Sequence, residues 1–254
     1  VTPYQFDCIK DAKDFLLRYE SQPHLVHGLN RFAYTYISDT FPQKVNWNID
    51  KLLIMTIDIE VQCENGFPNP ESAIEPLLSI TVKNQQSKKI IVWGIQPYKN
   101  TREDVTYIRC PNEHDLIMEF MSFWTKNYPD VITGWNTDFF DIPYLANRIK
   151  QVCGEDKMRE LSPWKNVSSK QIYSMGRNHL MYDIMGVSQY DYLQLYQKFT
   201  YTRQESYKLD YIASVLNLVK RKMKIHMKHL ESGMKMTFNL SLTTIFKMWK
   251  SLIN

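Results

Sequence analysis

Cysteine is scarce and unpaired along this chain. Cys8, Cys63, Cys110 and Cys153 stand far apart in 254 residues, with no C-x-x-C spacing. That pattern excludes a disulfide framework and a thiolate zinc site, and it points to a reducing compartment. No apolar run approaches the ~18 residues that a membrane-spanning helix needs, and no signal peptide is visible. A glycine-rich phosphate loop is missing, which removes support for nucleoside triphosphate hydrolysis. His24, His27, His114, His179, His226 and His229 make no metal-binding pattern. What is present, 44% hydrophobic and 23% charged residues, is the composition of a soluble globular protein. The length suits one large domain or one and a half. The chain opens on Val1 rather than Met, as expected of a fragment.

The net charge of +4 conceals an asymmetry. From Val219 to Asn254 there are eight Lys or Arg and one acid, Glu231; the preceding 218 residues hold 23 basic and 26 acidic side chains. A basic tail suits phosphate binding. The same tail has no Asp, Tyr or Pro and holds five of the twelve methionines, a break in composition.

Apolar and polar periodicity suggests an α/β order. Phe6, Ile9, Phe15, Leu16 and Tyr19 fit an amphipathic helix, and Arg31 to Ile37 reads as a strand. Strands are expected over 51–61, 77–83, 89–95 and 105–110, separated by turn formers. Asn112 should cap a helix running to about Tyr128, with Leu116, Ile117, Phe120, Phe123 and Trp124 inward. A short strand over 131–135 leads through Asn136 and Asp138, both turn and cap formers, to a helix with Pro143 in its first turn. Ile142, Leu145, Ile149 and Val152 carry its apolar stripe, and Gly154 ends it. A loop-rich stretch around Pro163, Ser168 and Ser169 precedes helices near 191–199 and 207–217. Helices flanking a mixed sheet fit this order.

The strand over 51–61 ends in two acids. Asp58 and Glu60 share one face of a strand, roughly 6.6 Å apart along it. Unpaired carboxylates in an apolar wall are very costly, and a divalent cation with hard oxygen ligands removes that cost. The pair therefore reads as half of a metal site, or as a strand that has reached its solvated end. Asp141, at the start of the helix after the strand over 131–135, reads as a third ligand or as an acid favoured by the helix dipole.

Taken together, the segments resemble a known family. Asp58-x-Glu60 resembles the first exonuclease motif of family B DNA polymerases, and Asn136-x-x-x-Phe140-Asp141 resembles the second. The flanks, Thr133-Gly134-Trp135 before and Ile142-Pro143-Tyr144-Leu145 after, are similar to those of T4-like bacteriophage replicative polymerases. The similarity runs from about residue 4 to about residue 218 and includes Phe67-Pro68, Asp191 to Phe199, and Tyr207 to Ile212. The resemblance implies a ribonuclease-H-like fold, with 1–50 as part of a polymerase N-terminal domain, 51–218 as a 3′–5′ exonuclease domain and 219–254 as an aberrant tail. It implies Asp58, Glu60 and Asp141 as catalytic metal ligands for two Mg²⁺ or Mn²⁺ ions. Asp58 would bridge both ions, Glu60 would hold the one that activates water, and Asp141 would act on the more exposed one. Phe67, Asn136 and Phe140 match positions at the DNA primer end. Trp135 and Phe139 are expected to pack in the core, and Tyr207 and Lys208 to lie on a solvated helix face. The implied partners are the 3′ end of single-stranded DNA, the polymerase domain of the parent protein and accessory proteins of phage replication, in the cytoplasm of an infected bacterium. No membrane partner and no palm-domain sequence are indicated.

One departure from the family pattern is plain. A third motif, a Tyr and an Asp with three residues between them, belongs where the basic tail stands. A one-nucleotide deletion near Val219 explains the loss: a shifted frame beneath Thr243 to Trp249 can encode a string with that Tyr and Asp. The expected consequence is an exonuclease lineage with impaired activity. A nuclease-fold module that binds single-stranded DNA or a polymerase partner without cutting is the alternative.

Overall fold

The computed structural model describes residues 2, 4–27, 32–43, 48–63, 66–174 and 176–216. The chain divides into two compact units at Ile49 and Asp50. In the first, helix α1 (Ile9–Arg18) places Phe15 at the centre of an aromatic cluster, 5.0 Å from Tyr4, 5.2 Å from Phe6 and 4.8 Å from Tyr19. The expected strand from Arg31 to Ile37 is instead helix α2 (Phe32–Thr40). A short aromatic run does not distinguish the two by period. A helix satisfies its own backbone groups without a partner strand, and Tyr34, Tyr36 and Ile37 are exposed on it.

The second unit is built on a six-stranded sheet in the order β4-β3-β2-β1-β5-β8. Alternation in the 51–61 run becomes β1 (Ile54–Val61), with Met55, Ile57 and Ile59 buried. β2 (Leu77–Asn84) and β3 (Ile90–Gly94) continue as an antiparallel meander. Asn84 closes their turn by accepting from the amides of Gln86 and Ser87 at 2.9 and 3.0 Å. β4 (Val105–Arg109) joins β3 in parallel. Asn112 caps α3 (Glu113–Lys126) by accepting from the Asp115 amide at 2.9 Å. On the far side of β1, β5 (Val131–Gly134) and β8 (Ser188–Asp191) add as parallel strands. Helices α4 (Asp141–Cys153) and α5 (Glu155–Arg159) lie between them in sequence, and α6 (Tyr192–Phe199) and α7 (Leu209–Val215) follow. Leu116, Ile117, Phe120 and Trp124 of α3 and Ile142, Leu145 and Ile149 of α4 cover Met55, Ile57, Leu77 and Ile80 of the sheet. Each such side chain contributes about 1.5–3 kcal/mol by leaving water. This mixed sheet with flanking helices is an α/β, ribonuclease-H-like arrangement.

The stretch expected to be loop-rich contains a hairpin, β6 (Val167–Ser174) and β7 (Arg177–Ile184), as well as β8. Ser168, Ser169, Lys170 and Gln171 of β6 are exposed, so no apolar alternation marks it. Cross-strand hydrogen bonds define it instead. Among the described residues no helix is long and apolar enough to cross a membrane.

Candidate active site

β1 and β5 pair in parallel only as far as Thr56 and Thr133. Beyond that point β5 parts from β1 while Gly134 still pairs with Asp191 of β8, and the missing side chain of Gly134 permits the divergence. A Cβ there would press on the Thr137 methyl and lie 2.7 Å from the Ile57 carbonyl oxygen. Asn136 then takes a left-handed φ of 65°, a conformation Asn tolerates better than most residues. Its carbonyl accepts from the amides of Phe139 and Phe140 at 3.3 and 3.0 Å, and the Thr137 carbonyl accepts from Ile142 at 3.0 Å. The turn so closed sets Asp141 as the first residue of α4.

Where β5 has departed, the amide of Ile59 on β1 lacks a strand partner. The Asp141 carboxylate takes that place, accepting from Ile59 N at 3.2 Å while only 4% exposed. Burial pushes the Asp141 carboxyl well above the usual carboxylate range, and the nearby Asp58 carboxylate pushes it further. The bond from Ile59 opposes both. Burial also raises Glu60. Asp58 and Asp141 are thus brought together from positions far apart in sequence. Among the described residues, no group of three or more His, Cys, Asp or Glu stands ready to hold a metal ion.

A second acidic pair supports the turn from behind. Asp191 accepts from Asn136 N at 2.9 Å, from Asp138 N at 3.2 Å and from Leu193 N at 2.8 Å, so one carboxylate ties the turn to the start of α6. Its carboxyl is raised by burial, against the pull of those amides. Asp138, expected to cap α4, instead turns inward and accepts from Gln194 Nε2 at 2.8 Å. Its Oδ1 is buried without a hydrogen-bond partner. Burial, then the Asp191 charge, raises this carboxyl to about 6. The sequence reading gave Asp191 and Gln194 no role. An Asp before an apolar run is a cap signal, which would have found the first.

The aromatic positions divide cleanly. Phe67 is 81% exposed, and its ring centroid lies 4.9 Å from that of Phe140, the residue before Asp141. Trp135 packs instead, its ring 6.1 Å from Tyr196 and its Nε1 donating to the Tyr207 carbonyl at 3.1 Å. Phe139 lies 4.4 Å from the His179 ring. Tyr207 belongs to this packed cluster, while Lys208 is exposed.

Residues 30–212 match the family described as DNA polymerase family B, exonuclease domain. The DNA-directed DNA polymerases of Escherichia phage RB69 and Enterobacteria phage T4 are both 32% identical to this chain, over 243 and 236 residues. These matches cover 85% and 83% of this chain, and 27% and 26% of the phage proteins. The DNA polymerase delta catalytic subunit of Dictyostelium discoideum is 36% identical over 104 residues, 39% of this chain and 9% of its own length. The chain therefore spans about a quarter of the length of the phage relatives. With the family match running from before α2 into α7, across the whole six-stranded sheet, the chain belongs to the exonuclease-domain family of the family B DNA polymerases.

Proposed function

We propose that this chain is the proofreading 3′–5′ exonuclease region of a phage-type family B DNA polymerase, acting on the 3′-terminal phosphodiester of single-stranded DNA. The observation that carries the reading is the seat of Asp141: a buried carboxylate held on β1 beside a second one, Asp58. Burial makes the Asp141 charge costly, the neighbouring Asp58 charge adds to that cost, and a cation relieves both. Hard oxygen donors suit Mg²⁺ or Mn²⁺, so Asp58, Glu60 and Asp141 fit the role of metal holders. Two bound ions would supply a hydroxide near neutral pH and stabilise charge on the leaving oxygen. The chain's own part is orientation. The Ile59 amide fixes Asp141, Asp191 fixes the turn that carries it, and the Phe67 and Phe140 rings offer a stacking face for a terminal base beside Asn136. The remaining partners are then the polymerase domain of a longer parent and phage replication accessory proteins in an infected bacterial cell.

The polypeptide as written is impaired in this reading, because residues 219–254 contain neither the Tyr nor the Asp of the third motif. That missing motif favours a second reading, a non-cutting module that holds single-stranded DNA or docks on a polymerase partner. Incubating the purified chain with a single-stranded oligonucleotide and Mg²⁺ separates them. Slow release of 3′ nucleotides, lost in Asp141→Asn, is the expected result. Strand binding indifferent to Mg²⁺, with no shortening, supports the module. Release as fast as by intact phage relatives overturns the impairment.

A further inference from the structure

Helix α4 carries two stripes. Ile142, Leu145 and Ile149 face the core. Tyr144, Asn147, Arg148 and Gln151 recur at i, i+3, i+4 and i+7 and share the adjoining face. Each of these four donates to main-chain carbonyls of the segment that joins Phe67 to β2. Tyr144 Oη reaches the Glu75 carbonyl at 2.6 Å, and Asn147 Nδ2 reaches that of Pro70 at 2.8 Å. Arg148 Nη1 reaches those of Ala73 and Ile74 at 3.1 and 2.8 Å, and Gln151 Nε2 reaches that of Ser72 at 2.6 Å. The rest of the Arg148 guanidinium grips Glu113 of α3 at 2.7 and 2.6 Å. Glu113 in turn accepts from Leu77 N at 2.7 Å, where β2 begins.

Five carbonyls between Pro70 and Glu75 are therefore taken by one face of one helix. Ala73, wholly buried, is held there at a φ of 41°, a strain that persists only where the surroundings over-determine it. A loop that merely covers a sheet edge needs no such grip. The segment emerges through Pro68 at Phe67, whose exposed ring meets Phe140. Phe140 immediately precedes Asp141, the start of the gripping helix. One rigid element thus sets both the buried carboxylate and the exposed ring.

We propose that Tyr144, Asn147, Arg148 and Gln151 are positioning residues, which register Phe67 against Phe140 and Asp141 so that its ring meets the 3′-terminal base. The inference rests on the exonuclease reading given above. Arg148 is too deeply engaged for a clean test, so the full chain carrying Tyr144→Phe and Gln151→Ala is compared with Phe67→Ala and with the triple variant; Tyr144→Phe alone serves if the pair unfolds. The probe is a single-stranded oligonucleotide that ends 3′ in a fluorescent adenine analogue and has a phosphorothioate terminal linkage. Phe67→Ala is expected to weaken binding about ten-fold and to remove the fluorescence change of the stacked base. The α4 variants weaken it about three-fold, as loss of a neutral hydrogen bond does, with partial loss of that change. They add nothing in the Phe67→Ala background. Equal effects in both backgrounds, or α4 variants that bind normally while Phe67→Ala does not, overturn this inference alone. A Phe67→Ala chain that binds like the parent overturns the base-seating role of Phe67 as well.

Discussion

Asp138 shows what one carboxyl costs when it is buried beside another. In the unfolded chain an Asp releases its proton near ~3.9, whereas here Asp138 holds it up to about 6. Between those values the folded protein is protonated and the unfolded chain is not. Stability therefore falls as pH rises through this window and is fully protected only below it. Asp138→Asn keeps an oxygen for the Gln194 amide and removes the charge. In metal-free protein at pH ~8 it should raise the unfolding free energy by about 1–3 kcal/mol and shrink the slope between pH ~4 and ~6. Chemical denaturation at several pH values measures both; a slope unchanged from the parent refutes the assignment. Asp141 was legible in the sequence because Pro143 and the apolar spacing behind it fix where its helix begins. Asp191 was legible only as the cap of its own helix, since the amides of Asn136 and Asp138 that it also holds lie more than fifty residues away and leave no local spacing to read.

At the scale of elements, the site exists because β5 stops early. Gly134 lets the chain turn away against the Ile57 carbonyl, and the gap admits Asp141. Gly134→Ala places a methyl 2.7 Å from that backbone oxygen, so either strand must shift. The expected cost is about 1–3 kcal/mol, as for other overpacked core positions. Hydrogen exchange should also speed up at the Ile59 amide, because its acceptor moves with the turn. Unfolding midpoints and exchange at that single amide check the two halves separately; loss of stability with Ile59 still protected would place the strain elsewhere. The strands from 51 to 135 were legible because apolar residues alternate over a buried face. The β6–β7 hairpin was not, because its outward positions are Ser, Lys and Gln and only cross-strand pairing defines it. α2 misled for the opposite reason: aromatic and β-branched residues suggested a strand where, among the described residues, no partner strand stands.

For the whole molecule, charge and chemistry point to different ends of the chain. Residues 1–218 carry more acids than bases, and the surplus of Lys and Arg lies after Val219, outside the described residues. The frame-shift reading concerns that same segment, and the family match ends before it, at residue 212. If a lost nucleotide produced the tail, the coding DNA must read AAG at Lys247, because AAA leaves no Asp in the shifted frame. Restoring one nucleotide near Val219 should return the missing Tyr and Asp to the chain. The repaired protein should then release 3′ nucleotides in Mg²⁺ faster than the chain as written by more than the about ten- to hundred-fold that an outer partner of a metal ligand is worth, since a direct carboxylate ligand is regained. A repaired chain no faster than its parent would mean that the carboxylate of the third motif is not what limits this site. The burden would then fall on how Glu60 and Asp58 of β1 approach Asp141 of α4, a question of how the two elements meet at the Ile59 amide.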